Sequence, residues 1–213
     1  MTVGRTNPWR AALRFLGSVL MVSGILMIAD AGITLAWQEP VSAFFAERQQ
    51  RQLEEDLFDP PPEVKKRVRE KRPLPGDAIG EIVLPSLDKR FFVVEGTQTD
   101  NLRKGPAHYP DTPLPGERGT VAIAGHRTTY GAPFRNIDQL KRGQRIVLSM
   151  PYGRYVYRVE KEQIVDDSAL WITDPVGYNR LVLSACHPLY SAAQRLVVFA
   201  RLGRRLPPSV KRN

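Results

Sequence analysis

The chain has a single cysteine, Cys186, which closes an apolar run, Leu181-Val-Leu-Ser-Ala-Cys186. A lone thiol forms no internal disulfide. Nine residues on, Arg195 stands at the head of a second apolar run, Gln194 to Leu202, and sixty residues upstream His126 closes a third, Thr120-Val-Ala-Ile-Ala-Gly-His126. A sulfur nucleophile, an imidazole that carries protons and a fixed guanidinium are the groups that acyl transfer through a thioester requires. The sulfur attacks a carbonyl carbon, the imidazole protonates the leaving amine and later deprotonates the incoming one, and the planar cation donates to a substrate carbonyl or oxyanion.

Each of these residues also has a plainer reading: an inert buried thiol, a surface histidine with one hydrogen bond, a solvated arginine at a strand end. His187 adjoins the thiol, but neighbours along a strand point to opposite faces, so His126 ranks above it as the partner of Cys186. His108, within Pro106-Ala-His-Tyr-Pro110, reads as structural. One cysteine and three histidines show no chelate spacing, and neither a metal nor another cofactor is expected.

The elements that must position these residues are short and β-rich. From Asp77 onward, runs with strand composition cover Ala78 to Leu84, Arg90 to Glu95, Gly119 to Ala124, Gln144 to Ser149, Arg154 to Glu162, Arg180 to Cys186 and Arg195 to Leu202. They are punctuated by Pro85, Gly96, Gly116, Gly125, Gly143 and Pro151-Tyr-Gly153. Short helical pieces fit Thr99 to Lys104 and Pro133 to Leu140. Seven or eight short strands with two minor helices predict a mostly β fold, a closed barrel or a sandwich. Pro188 ends the strand of Cys186, leaving the thiol at a strand terminus that faces a cleft or solvent.

At 213 residues and 42% apolar composition, the chain has room for one globular domain with flanking segments. Its formal charge of +9 suits an anionic neighbourhood, but the basic residues form no helix-turn-helix, zinc-finger or aromatic-basic pattern, so nucleic acid is not an expected partner. Arg5, Arg10 and Arg14 precede an uncharged stretch from Phe15 to Ala29, which marks a membrane-directed segment. Two readings fit it: a signal peptide cut after Ala31, given the small-x-small Ala29-Asp-Ala31, or a retained anchor that runs through Asp30 to an interfacial Trp37. The aromatic favours the anchor, and both readings place the remainder outside the cytoplasm. An unpaired thiol kept in an exported chain invites oxidation unless it is used, which favours the reactive reading of Cys186. The expected organisation is a cytoplasmic N-terminus over 1–12, a transmembrane anchor over 13–37, and a charged, Pro-containing flexible stalk over 38–76. A catalytic β-barrel over 77–203 and a basic tail over 204–213 follow.

The run Ala124-Gly-His126-Arg-Thr-Thr-Tyr-Gly-Ala-Pro-Phe134, the stretch Leu183-x-x-Cys186-x-Pro188 and Arg195 together resemble the sortases, cysteine transpeptidases of Gram-positive cell surfaces. Gly125-His-Arg127 with Cys186-His-Pro-Leu-Tyr190 looks most like the actinobacterial class E housekeeping enzymes, with class D the near neighbour. The resemblance implies an eight-stranded β-barrel in which Cys186 attacks the Thr-Gly bond of an LAXTG or LPXTG sorting signal to form a thioacyl enzyme. His126 would be the acid and base, and Arg195 would steady substrate and oxyanion. It further implies secreted proteins bearing that signal as substrates, an amine of the peptidoglycan precursor lipid II as acceptor, and a single-pass membrane location with the catalytic domain outside.

Tyr130, Leu183, Ala185 and His187 are the candidate substrate contacts. The family pattern Thr-Leu-x-Thr-Cys is here Val182-Leu-Ser-Ala-Cys186, so the hydroxyl before the nucleophile is missing. Alternatives are a pilus-related sortase and a non-catalytic sortase-like binding module, the latter on the strength of Ala185. An L,D-transpeptidase fits less well, because Ser184-Ala-Cys186-His-Pro188 lacks the glycine and nearby arginine expected of that family.

Overall fold

The computed structural model describes residues 8–37 and 40–208. The first helix, α1 (Pro8–Trp37), is 30 residues long, about 45 Å at ~1.5 Å per residue. It extends the uncharged stretch at both ends, and over Pro8–Ile33 it has the length and apolar composition to cross a membrane, properties that an anchor and a signal sequence share. Of the expected cytoplasmic N-terminus and basic tail, residues 1–7 and 209–213 lie outside the described residues, as do 38–39 of the stalk.

From Val41 onward the chain forms one compact unit. Eight strands close into a barrel in the order β1-β2-β3-β4-β7-β8-β6-β5. They are β1 (Ala78–Leu84), β2 (Lys89–Glu95), β3 (Ala107–His108), β4 (Thr120–Ala124), β5 (Arg145–Met150), β6 (Gly153–Asp166), β7 (Arg180–His187) and β8 (Gln194–Leu206). Two of these strands outrun their sequence patterns: β6 continues to Asp166, and β8 takes in residues 203–206. Both extensions arise because β6 and β8 pair along their whole lengths, from Arg154↔Leu206 to Asp166↔Gln194, so each supplies ladder partners to the other. Residues of seven of the eight strands, among them Ile82, Val93, Val121, Ile146, Tyr157, Leu181, Leu183, Leu196 and Val198, fill the interior.

The segment that reads as a polar stalk carries two helices, α2 (Pro40–Phe58) and α3 (Pro62–Arg69), separated by the prolines at 60–62. Helix α2 places Leu53 and Leu57 in a cluster with Ala78, Phe92, Val94 and Ala107. The stripe Ala46, Gln50, Leu53, Leu57 has helical spacing, and the surrounding charges mask it. Gln50 has a particular task. Strand β2 pairs with β3 only at Val94 and Glu95, so its earlier part is an open sheet edge. The Gln50 carboxamide acts there as a missing strand: its Oε1 accepts from Phe92 N–H at 2.7 Å, and its Nε2 donates to Phe92 O at 3.1 Å and Lys104 O at 2.8 Å. Gly105 makes room, since a Cβ there would lie 2.1 Å from that Nε2. Helix α3 is tied down by the Arg67 fork on Asp77, at 3.0 Å.

Candidate active site

Strands β4 and β7 run parallel with a constant offset of sixty, from Thr120↔Arg180 to Ala124↔Ser184. Gly125 N–H continues the pairing beyond the end of β4 by donating to Ser184 O at 3.0 Å. On the other side of β7, antiparallel pairing sets Cys186 directly opposite Arg195 of β8. Alternation then sorts the side chains. Leu183, Ala185, Leu196 and Val198 point into the barrel, whereas Ala122, Val182, Val197 and Phe199 lie outside, beneath the helical turn Leu170–Thr173. Cys186 and Arg195 belong to the outer set by the same alternation, and His126 follows the last ladder bond between the two segments, Gly125 N–H to Ser184 O, by one residue. Cys186 and Arg195 thus share an outer row across β7 and β8, and His126 stands just past the end of β4, the strand on the other side of β7.

Cys186 is half-buried at its strand end. The Arg195 Nη1 donates to Ala192 O at 2.8 Å and Gln194 O at 3.0 Å, which holds the guanidinium plane against the turn before β8.

His126 leaves β4 through Gly125, over which the fully buried Phe134 ring closes; a Cβ at 125 would come within 2.6 Å of that ring. The loop turns back on itself through Phe134 N–H donating to His126 O at 3.0 Å. Within it Tyr130, Gly131 and Ala132 have φ of 50°, 71° and 43°, a left-handed run that costs about 1–3 kcal/mol at each non-glycine and persists only where contacts enforce it. Tyr130 N–H donates to Ser42 Oγ of α2 at 3.2 Å, one such contact. The His126 ring lies 4.9 Å from that of Tyr130, and the Arg103 guanidinium sits 5.5 Å from the tyrosine ring centre. Burial first, and the Arg103 charge second, hold the imidazole below its ordinary pKa of 6.5, so it is neutral at pH 7. Its Nε2 is screened from solvent and has no hydrogen-bond partner among the described residues.

The structure sets Cys186 opposite Arg195 and links the residues that follow His126 and Cys186 through the Arg127–His187 contact. Tyr130 flanks the histidine and lines a cavity of about 400 Å³ between α2, β2 and the His126 loop. Leu183 and Ala185 are 0% and 3% exposed and face the barrel interior, so neither offers its side chain to the outer row. The Thr-to-Ala difference at 185 alters the interior, not the face that carries the thiol. His187 is turned away from the row and bonded to Arg127 through Nδ1 at 3.0 Å. His108 is structural, its ring buried with Nδ1 2.9 Å from Glu95 Oε2. Sequence reasoning assigned no role to Gln50, Arg103 or Arg127; for Arg127, the constant offset between 126–127 and 186–187 is the signal that was available.

Residues 82–203 match the family model described as "Sortase domain". Among curated relatives, Sortase D of Bacillus subtilis (strain 168) is 33% identical over 134 residues, covering 61% of this chain and 66% of that protein, just under two thirds. Sortase SrtE2 of Streptomyces coelicolor is 25% identical, with 96% of this chain and 91% of that protein covered. Among solved structures, sortase E1 from Streptomyces coelicolor, which holds a tripeptide in its active site, is 25% identical with a TM-score of 0.58. It covers 61% of this chain and 90% of its own. Sortase E from Streptomyces avermitilis is 32% identical with a TM-score of 0.56 over the same shares.

Proposed function

This chain belongs to the sortase family of cysteine transpeptidases, and on that premise we propose that it cleaves an LAXTG or LPXTG sorting signal between Thr and Gly and joins the protein to a cell-wall precursor amine. The observation that carries the reading is the pairing of Cys186 with Arg195 across β7 and β8, with His126 just past the end of β4, the strand on the other side of β7.

The neutral His126 takes the Cys186 proton as the sulfur attacks the threonine carbonyl carbon. Negative charge then develops on the carbonyl oxygen. Arg195, its Nη1 committed to two backbone carbonyls, meets that oxygen with its remaining N–H groups. As the tetrahedral species collapses, the C–N bond breaks and His126 returns the proton to the leaving glycine amine. The acceptor amine attacks the thioacyl carbon, His126 takes the amine's proton, and the departing sulfur recovers it. Helix α1 anchors the chain with its arginine-rich end in the cytoplasm and the barrel outside, next to lipid-linked precursor.

The test is intact-mass spectrometry of the full chain in detergent, incubated with an LAXTG or LPXTG peptide and no amine. A mass increase equal to the peptide through its threonine, absent in C186A, supports the reading. A folded wild-type chain that forms no adduct with either peptide refutes it.

A further inference from the structure

The catalytic row has a counterpart on its reverse side. His126 and Cys186 are each followed by a residue of a second pair, Arg127 and His187, and alternation along β7 turns His187 to the face opposite Cys186. There the contact is direct: Arg127 Nη1 lies 3.0 Å from His187 Nδ1. The same guanidinium donates through Nη2 to Asp138 Oδ2 at 2.9 Å and through Nε to Arg135 O at 3.3 Å. It is 5% exposed, the most buried arginine of the chain among the described residues. A buried guanidinium is costly unless its donors are satisfied, and its planar fork reaches three partners only when they are fixed. An arginine can only donate, so Nδ1 of His187 accepts, and the ring's proton is on Nε2.

We propose that Arg127 and His187 form a positioning clamp that fixes the separation of His126 and Cys186 from behind. The inference rests on the transpeptidase reading for its kinetic consequence. Neither residue touches substrate. Each is joined by one peptide bond to a catalytic residue, and beyond Gly125 the main-chain ladder between β4 and β7 is finished. The clamp is the next link across the gap, and it ties in Asp138 of the helical turn Ile137–Gln139 and the carbonyl of Arg135 at the far end of the His126 loop. Displacing a catalytic group by about 1 Å costs on the order of a hundredfold in rate.

The experiment uses the full chain in detergent and compares H187N, H187A and R127K. Asparagine Oδ1 takes the place of Nδ1 as acceptor, so H187N is expected to keep kcat within about threefold of wild type. H187A, which leaves Arg127 without its partner, and R127K, which retains charge but loses the fork, are expected to lower kcat by about ten- to a hundredfold with KM nearly unchanged. Wild-type kcat in H187A overturns the clamp. So does an equal loss in H187N and H187A, which would make the imidazole itself the active group.

Nitrogen-15 spectra of the three histidine rings supply a readout that does not depend on turnover. The clamp requires His187 as the Nε2–H tautomer in wild type, and a shift of the His126 resonances in H187A. A proton on Nδ1 of His187, or unmoved His126 resonances, refutes it even if no peptide is turned over. Conversely, an inactive wild-type chain with the expected spectra refutes the transpeptidase reading and leaves the clamp standing.

Discussion

Replacing Gln50 with leucine tests whether helix α2 is part of the folded barrel or a loose tether. Leucine keeps the bulk and helix propensity of glutamine and removes only its hydrogen-bonding atoms. Three bonds are lost at once, to Phe92 N, Phe92 O and Lys104 O. A net hydrogen bond is worth about 1 kcal/mol, and a buried group left without a partner costs about 1–3 kcal/mol. The sum for Q50L is about 3 kcal/mol at the low end, since Phe92 is 7% exposed and an apolar side chain beside it blocks replacement by water. For a domain of this size that corresponds to a fall in Tm of about 6–12 °C.

Q50A should cost less, about 2 kcal/mol, because truncation opens the site to the adjoining cavity and lets water reach the carbonyls. The assays are thermal unfolding by circular dichroism of the full chain in detergent, and hydrogen exchange at the Phe92 amide, which should lose protection in both variants. A Tm within 2 °C of wild type for Q50L, with Phe92 protection retained, would refute the reasoning and return α2 to the status of a solvated stalk.

Further outcomes follow from the site. In R103A the His126 titration, followed by proton NMR, should move up toward 6.5 without reaching it, since burial is the larger cause of the shift; an unmoved titration would exclude Arg103. Because the folded ring binds its proton less readily than the unfolded one, stability should fall as pH drops from about 6.5 through the lowered value, and H126N should flatten that slope in urea melts. G125A should force the Phe134 ring aside, with about 1–3 kcal/mol lost from overpacking and a fall in kcat; unchanged melting would show that the ring yields freely. R195K should fold normally but turn over at least about tenfold more slowly, because an ammonium cannot hold Ala192 O and Gln194 O and still present a fork to an oxyanion.

Most of the barrel was legible because strand composition and turn residues are local. The runs Ala78 to Leu84 and Arg180 to Cys186 match β1 and β7 within a residue. The two-residue β3 was not legible, since Ala107–His108 becomes a strand only by bridging β2 and β4. The packing of α2, within the segment read as a stalk over 38–76, was not legible for a related reason: its apolar stripe is sparse, and only the open edge of β2 gives Gln50 and Leu53 something to cover.

At the site, the sequence by itself determined which chemistry was available, because a lone thiol, an imidazole and a guanidinium at the ends of apolar runs are matters of residue type and position. It also determined that Cys186 and His187 face opposite ways, since the period of a strand is local. What only the tertiary structure decided was who meets whom. The parallel pairing of β4 with β7 joins segments sixty residues apart, and its register depends on an interior that residues from distant strands fill together. That packing turns Ala185 into the core and brings Arg127 onto His187 behind the row. Such alignment is a property of long-range packing, and no local stretch of chain carries it.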